Sequence, residues 1–215
     1  MNFRQKIAKY VTGNMRTDQL PEIGMTGLEE GLETPSLCIL AGLSKNENPF
    51  QIEHYFKQTL EELKIELPNK RQAAINYSLA IVEEILEGKK DVIEGTREIR
   101  YKAIGSYDFF SESKQYCYDS IGFETAYGVF DTYDELSTAD RPWQTEKTNE
   151  QLMSEVKQQL IEELKKEFKV LYNDKLRLIT IRHYAPSTVD SLTKDKTILL
   201  EQRSRHTAQV VLKED

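Results

Sequence analysis

The chain has 215 residues, 39% hydrophobic and 30% charged, which allows a sizeable core and sets it apart from disordered chains. Its net charge of −7 is uneven: residues 171–215 hold eight Lys/Arg and six Asp/Glu, leaving 21 against 30 over residues 1–170, so the main body lacks the basic surface that nucleic acid requires. No apolar run reaches the roughly 18 residues that cross a bilayer, and the N-terminus has no apolar leader block, so no membrane association is expected and the cytoplasm is the expected location.

Residues 2–15 have the pattern of a short opening helix. Over residues 16–33, three glycines and a proline predict irregular chain with short turns of helix. Thr34 followed by Pro35 is an N-cap with proline at the first helical position, where its missing N–H costs nothing, so a helix is expected to start there. Asn48 and Pro49 repeat the arrangement, and Ile52, Phe56, Leu60 and Leu63 then fall on one face. In "PNKRQAAINYSLAIVEEILEGKK", Asn69 and Gln72 form a capping-box-like pair, Ala74, Tyr77, Ile81 and Ile85 make an apolar row, and Gly88 is the expected stop.

Helical periodicity weakens over residues 91–105. The aromatic stretch "SYDFFSESKQYCYDSIGFETAYGVFDTYDEL" is expected to form short helices and loops whose rings pack onto a bundle. Thr148 and Gln151 make another capping-box pair, opening a helix to about Phe168 with Leu152, Val156, Leu160 and Leu164 on its apolar face. The period then changes. "LRLITIRHY" and "TILLEQRSRHTAQVVL" read as short strands, with a small helix after Pro186 between them. The expected fold class is therefore mainly α, with an acidic helical bundle over residues 1–168 and a small α+β unit, strand-helix-strand-strand, over residues 169–215. So few strands bury little, and the unit must lie on the bundle or pair with a second copy, giving a homodimer through the C-terminal strands.

No stretch carries a phosphate loop, dinucleotide fingerprint or nucleophile elbow around Ser36, Ser44 or Ser204, so no catalytic residue and no cofactor is assigned. His54, His183 and His206 are far apart, and Cys38 and Cys117 lack CxxC spacing, so no metal site is assigned and both thiols are expected to be buried. His54 is expected at the boundary of its helix's apolar face. Adjacent acidic pairs occur at Glu29-Glu30, Glu61-Glu62, Glu83-Glu84 and Glu162-Glu163. Neighbours on a helix point about 100° apart and do not converge on one atom, so they are either solvated faces or an acidic surface that captures a basic partner; Glu29, Glu30 and Glu33 are the candidate partner-binding residues. Arg203 and Arg205 would share one face of a strand, as an anion-binding strip or as charge that protects an exposed edge. Trp143 either anchors its connector or meets a ligand.

Residues 1–166, through "GLETPSLCILAGLSKNENPFQIEHYFKQTLEELKIELPNKRQAAINYSLAIVEEILEGKK", "YDSIGFETAYGVFDTYDEL" and "DRPWQTEKTNEQL", resemble a group of small bacterial helical proteins of no established function. That resemblance implies a helical fold and brings no site residues. Residues 170–212, "YNDKLRLITIRHYAPSTVDSLTKDKTILLEQRSRHTAQVVL" with its flanks, are similar to the ACT-type regulatory region at the end of aspartate kinases. It implies amino-acid effectors held between paired units.

Three functions follow. The first is a non-enzymatic binding protein, of immunity or adaptor type, whose acidic helical surface holds a protein partner. The second is an amino-acid sensor through a dimerised tail, and the third a hydrolase whose site assembles only in the fold.

Overall fold

A computed structural model of the chain describes residues 1–113, 121–138, 146–182, 198–204 and 207–212. The chain divides into two compact units, Met1–Phe168 and Lys169–Asp215. Among the described residues helix dominates: α1 (Phe3–Val11), α2 (Leu20–Glu29), α3 (Pro35–Gly42), α4 (Pro49–Glu62), α5 (Lys70–Leu86), α6 (Val92–Glu98), α7 (Phe109–Ser113), α8 (Glu124–Thr138) and α9 (Asn149–Arg182). None of the described helices is long and apolar enough to cross a membrane.

The helix starts are written locally. Thr34 Oγ1 accepts from Leu37 N at 3.3 Å, Asn48 Oδ1 from Phe50 N at 3.0 Å and Asn69 Oδ1 from Gln72 N at 2.8 Å, each satisfying an N–H that has no partner inside its helix. Before α9, Thr148 and Gln151 bond reciprocally, at 3.0 and 3.3 Å. α5 ends at Gly88, whose φ of +70° a side-chain-bearing residue adopts only with strain.

In the first unit, α1 to α4 enclose one core of Phe3, Ile7, Met15, Leu20, Ile23, Leu37, Leu40, Ile52, Phe56 and Leu60. Burying a side chain such as Phe56 contributes about 1.5–3 kcal/mol, and these apolar rows at helical spacing hold the four helices together. α5 is the most buried helix, with Ala73, Ala74, Tyr77, Leu79, Ala80, Ile81, Val82 and Ile85 all inside, and α1 lies along it. α6 begins at Asp91, whose side chain accepts from Ile93 N and Glu94 N, and continues as a wide π turn over Ile99–Ala103. From α9, Leu160 and Leu164 are fully buried.

Three expectations change. Residues 20–29, expected as irregular, form a continuous helix because Gly24 and Gly27 are places where neighbouring helices approach rather than breaks: a Cβ at Gly24 would lie 2.8 Å from Ala41 N. The aromatic stretch contains a fifteen-residue helix, α8, with Ala126, Val129 and Phe130 buried at helical spacing. Residues 176–182, expected as a strand, are the last turns of α9. Extending an existing helix needs no new nucleus, which offsets the poor helix propensity of Ile and Thr there.

In the second unit, β1 (Ile198–Ser204) and β2 (Thr207–Leu212) pair antiparallel, with Leu199 opposite Val211 and Glu201 opposite Gln209. The register slips between Gln202 and Ser204, at Arg203. The small helix expected after Pro186 lies outside the described residues.

Candidate functional site

The α2–α3 reversal sets the first candidate region. Gly31, at φ +78°, ends α2 with Gly31 N donating to Leu28 O at 3.0 Å and Leu32 N to Gly27 O at 2.9 Å, which turns the chain sharply. Glu29 and Glu30 therefore stand at the end of α2, and Glu33 stands directly before the cap of α3. Across from them the last turn of α4 brings Glu61 and Glu62: Glu62 accepts from Ser36 N at 3.1 Å and from Ser36 Oγ at 2.7 Å. Glu29, Glu30, Glu33, Glu61 and Glu62 thus stand around the end of α2, the start of α3 and the last turn of α4, so this end of the helices is acidic.

The glutamates divide by task. Glu30 Oε1 accepts from Phe3 N at 2.5 Å and so serves the start of α1, where the helix dipole favours an anion. Glu62 serves the start of α3 in the same way, and hydrogen bonds from Ser36 and then Thr34 hold its pKa below the usual carboxylate value. Glu29, Glu33 and Glu61 are exposed and make no side-chain hydrogen bond or ion pair among the described residues. Of the three residues the sequence nominated, two are thus uncommitted at the surface and one belongs to the fold.

Beside them α3 leaves one face uncovered. Leu37 and Leu40 point into the core, while Pro35, Cys38, Ile39 and Gly42, spaced as one helical stripe, are exposed; Ile39 retains 43% of its surface. Cys38 is a free thiol on that stripe, not a core residue as expected. Because α3 is apolar all round, its sequence could not say which side the bundle would cover.

A second constellation lies between α1, α5 and α6. Tyr77, with its whole residue buried, donates through its hydroxyl to Glu98 Oε1; Lys90 Nζ donates to Glu98 Oε2 at 2.6 Å and lies 3.3 Å from Glu84 Oε2; Glu84 Oε1 receives the Met1 ammonium at 3.1 Å. Gln5 donates to Glu83 alongside. The Glu83-Glu84 pair is therefore partly buried structure, not the solvated face expected of it. Burial opposes the Glu98 carboxylate, yet hydrogen bonds from Lys90 and Tyr77 outweigh it and lower its pKa. Burial, then the Glu98 hydrogen bond and charge, push the Tyr77 phenol far up. Burial works against the Lys90 ammonium, but Glu98 and Glu84 overcome it and raise its pKa.

The pH dependence follows from those directions. Glu98 has a lower pKa folded than unfolded, so its stabilisation is complete above the ordinary value of 4.5 and is lost as pH falls through the folded value. Tyr77 and Lys90 have raised values, so theirs is complete below the ordinary 10.0 and 10.5 and is lost as pH rises. Urea unfolding at stepped pH should show a plateau with two falling limbs, the acid limb shallower in Glu98→Gln and the alkaline limb shallower in Tyr77→Phe. Limbs unchanged in both variants would show that other groups carry them.

The remaining sequence candidates do not gather here. His54 is exposed beside Tyr55, their ring centroids 5.4 Å apart. Arg203 lies in β1, where the register with β2 slips between Gln202 and Ser204. Arg205, Cys117, Trp143, His183 and His206 lie outside the described residues. Among the described residues no group of three or more His, Cys, Asp or Glu could hold a metal ion. No family model, no curated protein and no solved structure matches the chain.

Proposed function

We propose that this is a non-enzymatic binding protein of the cytoplasm that holds a basic segment of a partner protein against the acidic end of α2, α3 and α4. The observation that carries the reading is the pairing of uncommitted charge with uncovered apolar surface: Glu29, Glu33 and Glu61 have no side-chain partner among the described residues, and Cys38 and Ile39 lie on the adjoining face of α3. Interfaces characteristically combine an apolar centre with a charged rim, and a rim of one sign speeds encounter with a partner of the other. The complementary segment is amphipathic, with lysines or arginines flanking a short apolar row.

Affinity capture by the full chain tests the reading when repeated with two equally charged variants. Glu29→Lys/Glu33→Lys should lose the retained partner, and added salt should weaken capture by the unaltered chain, because exposed charges are screened over about 10 Å at 0.1 M. Glu135→Lys/Glu150→Lys, which changes net charge equally on other exposed positions, should retain it. Equal retention by both variants would refute an acidic docking end.

For the second unit we propose, as a separate reading, that it pairs with a second copy through the β1–β2 hairpin and takes an amino-acid effector at the seam. The β1–β2 hairpin supports the pairing, since two strands seldom suffice alone. Light scattering of the full chain should report a dimer, and an amino acid that binds the folded state should raise its melting temperature. A monomer with no response to any amino acid would end that reading.

A further inference from the structure

A groove of about 220 Å³ runs beside α1, lined by Met1, Lys6, Lys9, Met15, Glu22 and Lys90 among others. It lies towards the start of α2, whereas the acidic end lies at its finish; Glu22 and Glu29 are separated by seven residues of helix, about 10 Å. In a chain of net charge −7 its lining is cationic, with three lysines and the Met1 ammonium against Glu22 and Glu84.

Both carboxylates are already engaged. Lys45 donates to Glu22 Oε1 at 2.7 Å, and Glu84 is shared between the Met1 ammonium and Lys90, which also holds Glu98 at 2.6 Å. What remains is Lys6 and Lys9. They are three residues apart on α1, where side chains are neighbours and like charges repel. Lys6 Nζ donates to Thr26 Oγ1 at 2.7 Å and lies 3.4 Å from Glu22 O; these acceptors fix the ammonium in place without opposing its charge. Lys9 Nζ stands 5.7 Å from the centre of the Tyr77 ring. Neither lysine has a carboxylate within ion-pair distance among the described residues, and both are only partly exposed, so solvent screens them less than it would a free surface pair. Their combined field reaches Glu22, whose pKa is lowered first by the Lys45 hydrogen bond, against burial, and then by the charges of Lys45, Lys6 and Lys9.

We infer that this groove is a binding site for the oxyanion head of a small molecule, a carboxylate or a phosphate, held between Lys6 and Lys9. Ammonium-to-oxyanion hydrogen bonds are of the stronger, charge-assisted kind, and an anion there removes the repulsion between the two lysines. The volume is below the roughly 300 Å³ at which sites for drug-sized ligands begin, which suits a small ligand, and the flexible side chain of Met15 gives it an adaptable apolar wall.

The test is thermal unfolding of the full chain titrated with inorganic phosphate, succinate or sodium chloride at matched ionic strength. Phosphate or succinate should raise the melting temperature saturably above the chloride curve, and whichever acts identifies the head group. Lys6→Met/Lys9→Met should weaken that apparent affinity by about tenfold or more, Lys6→Arg/Lys9→Arg should largely keep it, and Lys57→Met should leave it unchanged. Melting curves that coincide with chloride for both anions, or an effect that persists undiminished in the double Met variant while Lys57→Met behaves identically, would overturn the assignment.

Discussion

Gly24→Val is expected to cost about 3 kcal/mol or more, among the largest losses from any single change on α2. An added Cβ would lie 2.8 Å from Ala41 N and 3.0 Å from Ala41 Cα, and these are backbone atoms of α3 that no rotamer change can move. The two helices would have to separate, opening the core between Ile23 and Leu40. At Gly27 the nearest atoms are side-chain carbons of Phe3 and Leu37, at 3.0 and 3.1 Å, which can yield, so Gly27→Ala should be milder. Gly128 in α8 has nothing within 4 Å of an added Cβ, and Gly128→Ala should stabilise by about 0.5–1 kcal/mol through helix propensity. Urea denaturation of the three variants checks the order; equal losses at Gly24 and Gly128 would show that close approach is not what the α2 glycines provide.

Lys90→Met should cost about 3 kcal/mol, because it strips the partly buried Glu98 carboxylate of its cation while Tyr77 still requires an acceptor. Its side chain and that of Glu98 retain 21% and 16% of their surfaces, so water replaces the lost partner poorly. Glu98→Gln in the Lys90→Met background should recover much of the loss, since a neutral amide needs no counter-charge and its oxygen can still accept from Tyr77. The exposed Lys45–Glu22 pair is the contrast: its loss should be hard to detect, as for most surface ion pairs. Simple additivity of Lys90→Met and Glu98→Gln would mean that the two groups are not coupled.

Much of the helical body was legible because its signals are local. The caps at Thr34, Asn48, Asn69 and Thr148 act through hydrogen bonds within three residues, so spacing alone reveals them. α2 was obscured because the demand for glycine at position 24 comes from Ala41, seventeen residues away. The extension of α9 over residues 176–182 was obscured because β-propensity describes side-chain surroundings more than an intrinsic backbone preference.

The candidate site divides in the same way. Glu29 and Glu33 could be named as surface acids from composition, but the task of Glu30 appears only when Phe3 N is brought to it across 27 residues. Glu61 joins the surface because α4 returns to the start of α3, a tertiary fact. The Tyr77–Glu98–Lys90 cluster left one trace in the sequence: a tyrosine in an otherwise apolar row needs a partner for its hydroxyl. The row does not say which residue supplies it.

The most direct measurement is an amide NMR titration of the full chain with a synthetic helical peptide bearing lysines and arginines around an apolar row. The proposed function predicts saturable shifts concentrated at Glu29, Gly31, Glu33, Cys38, Ile39 and Glu61, reduced in Glu29→Lys/Glu33→Lys and not in Glu135→Lys/Glu150→Lys. Shifts scattered over the acidic residues of α8 and α9, or equal losses in both variants, would contradict it.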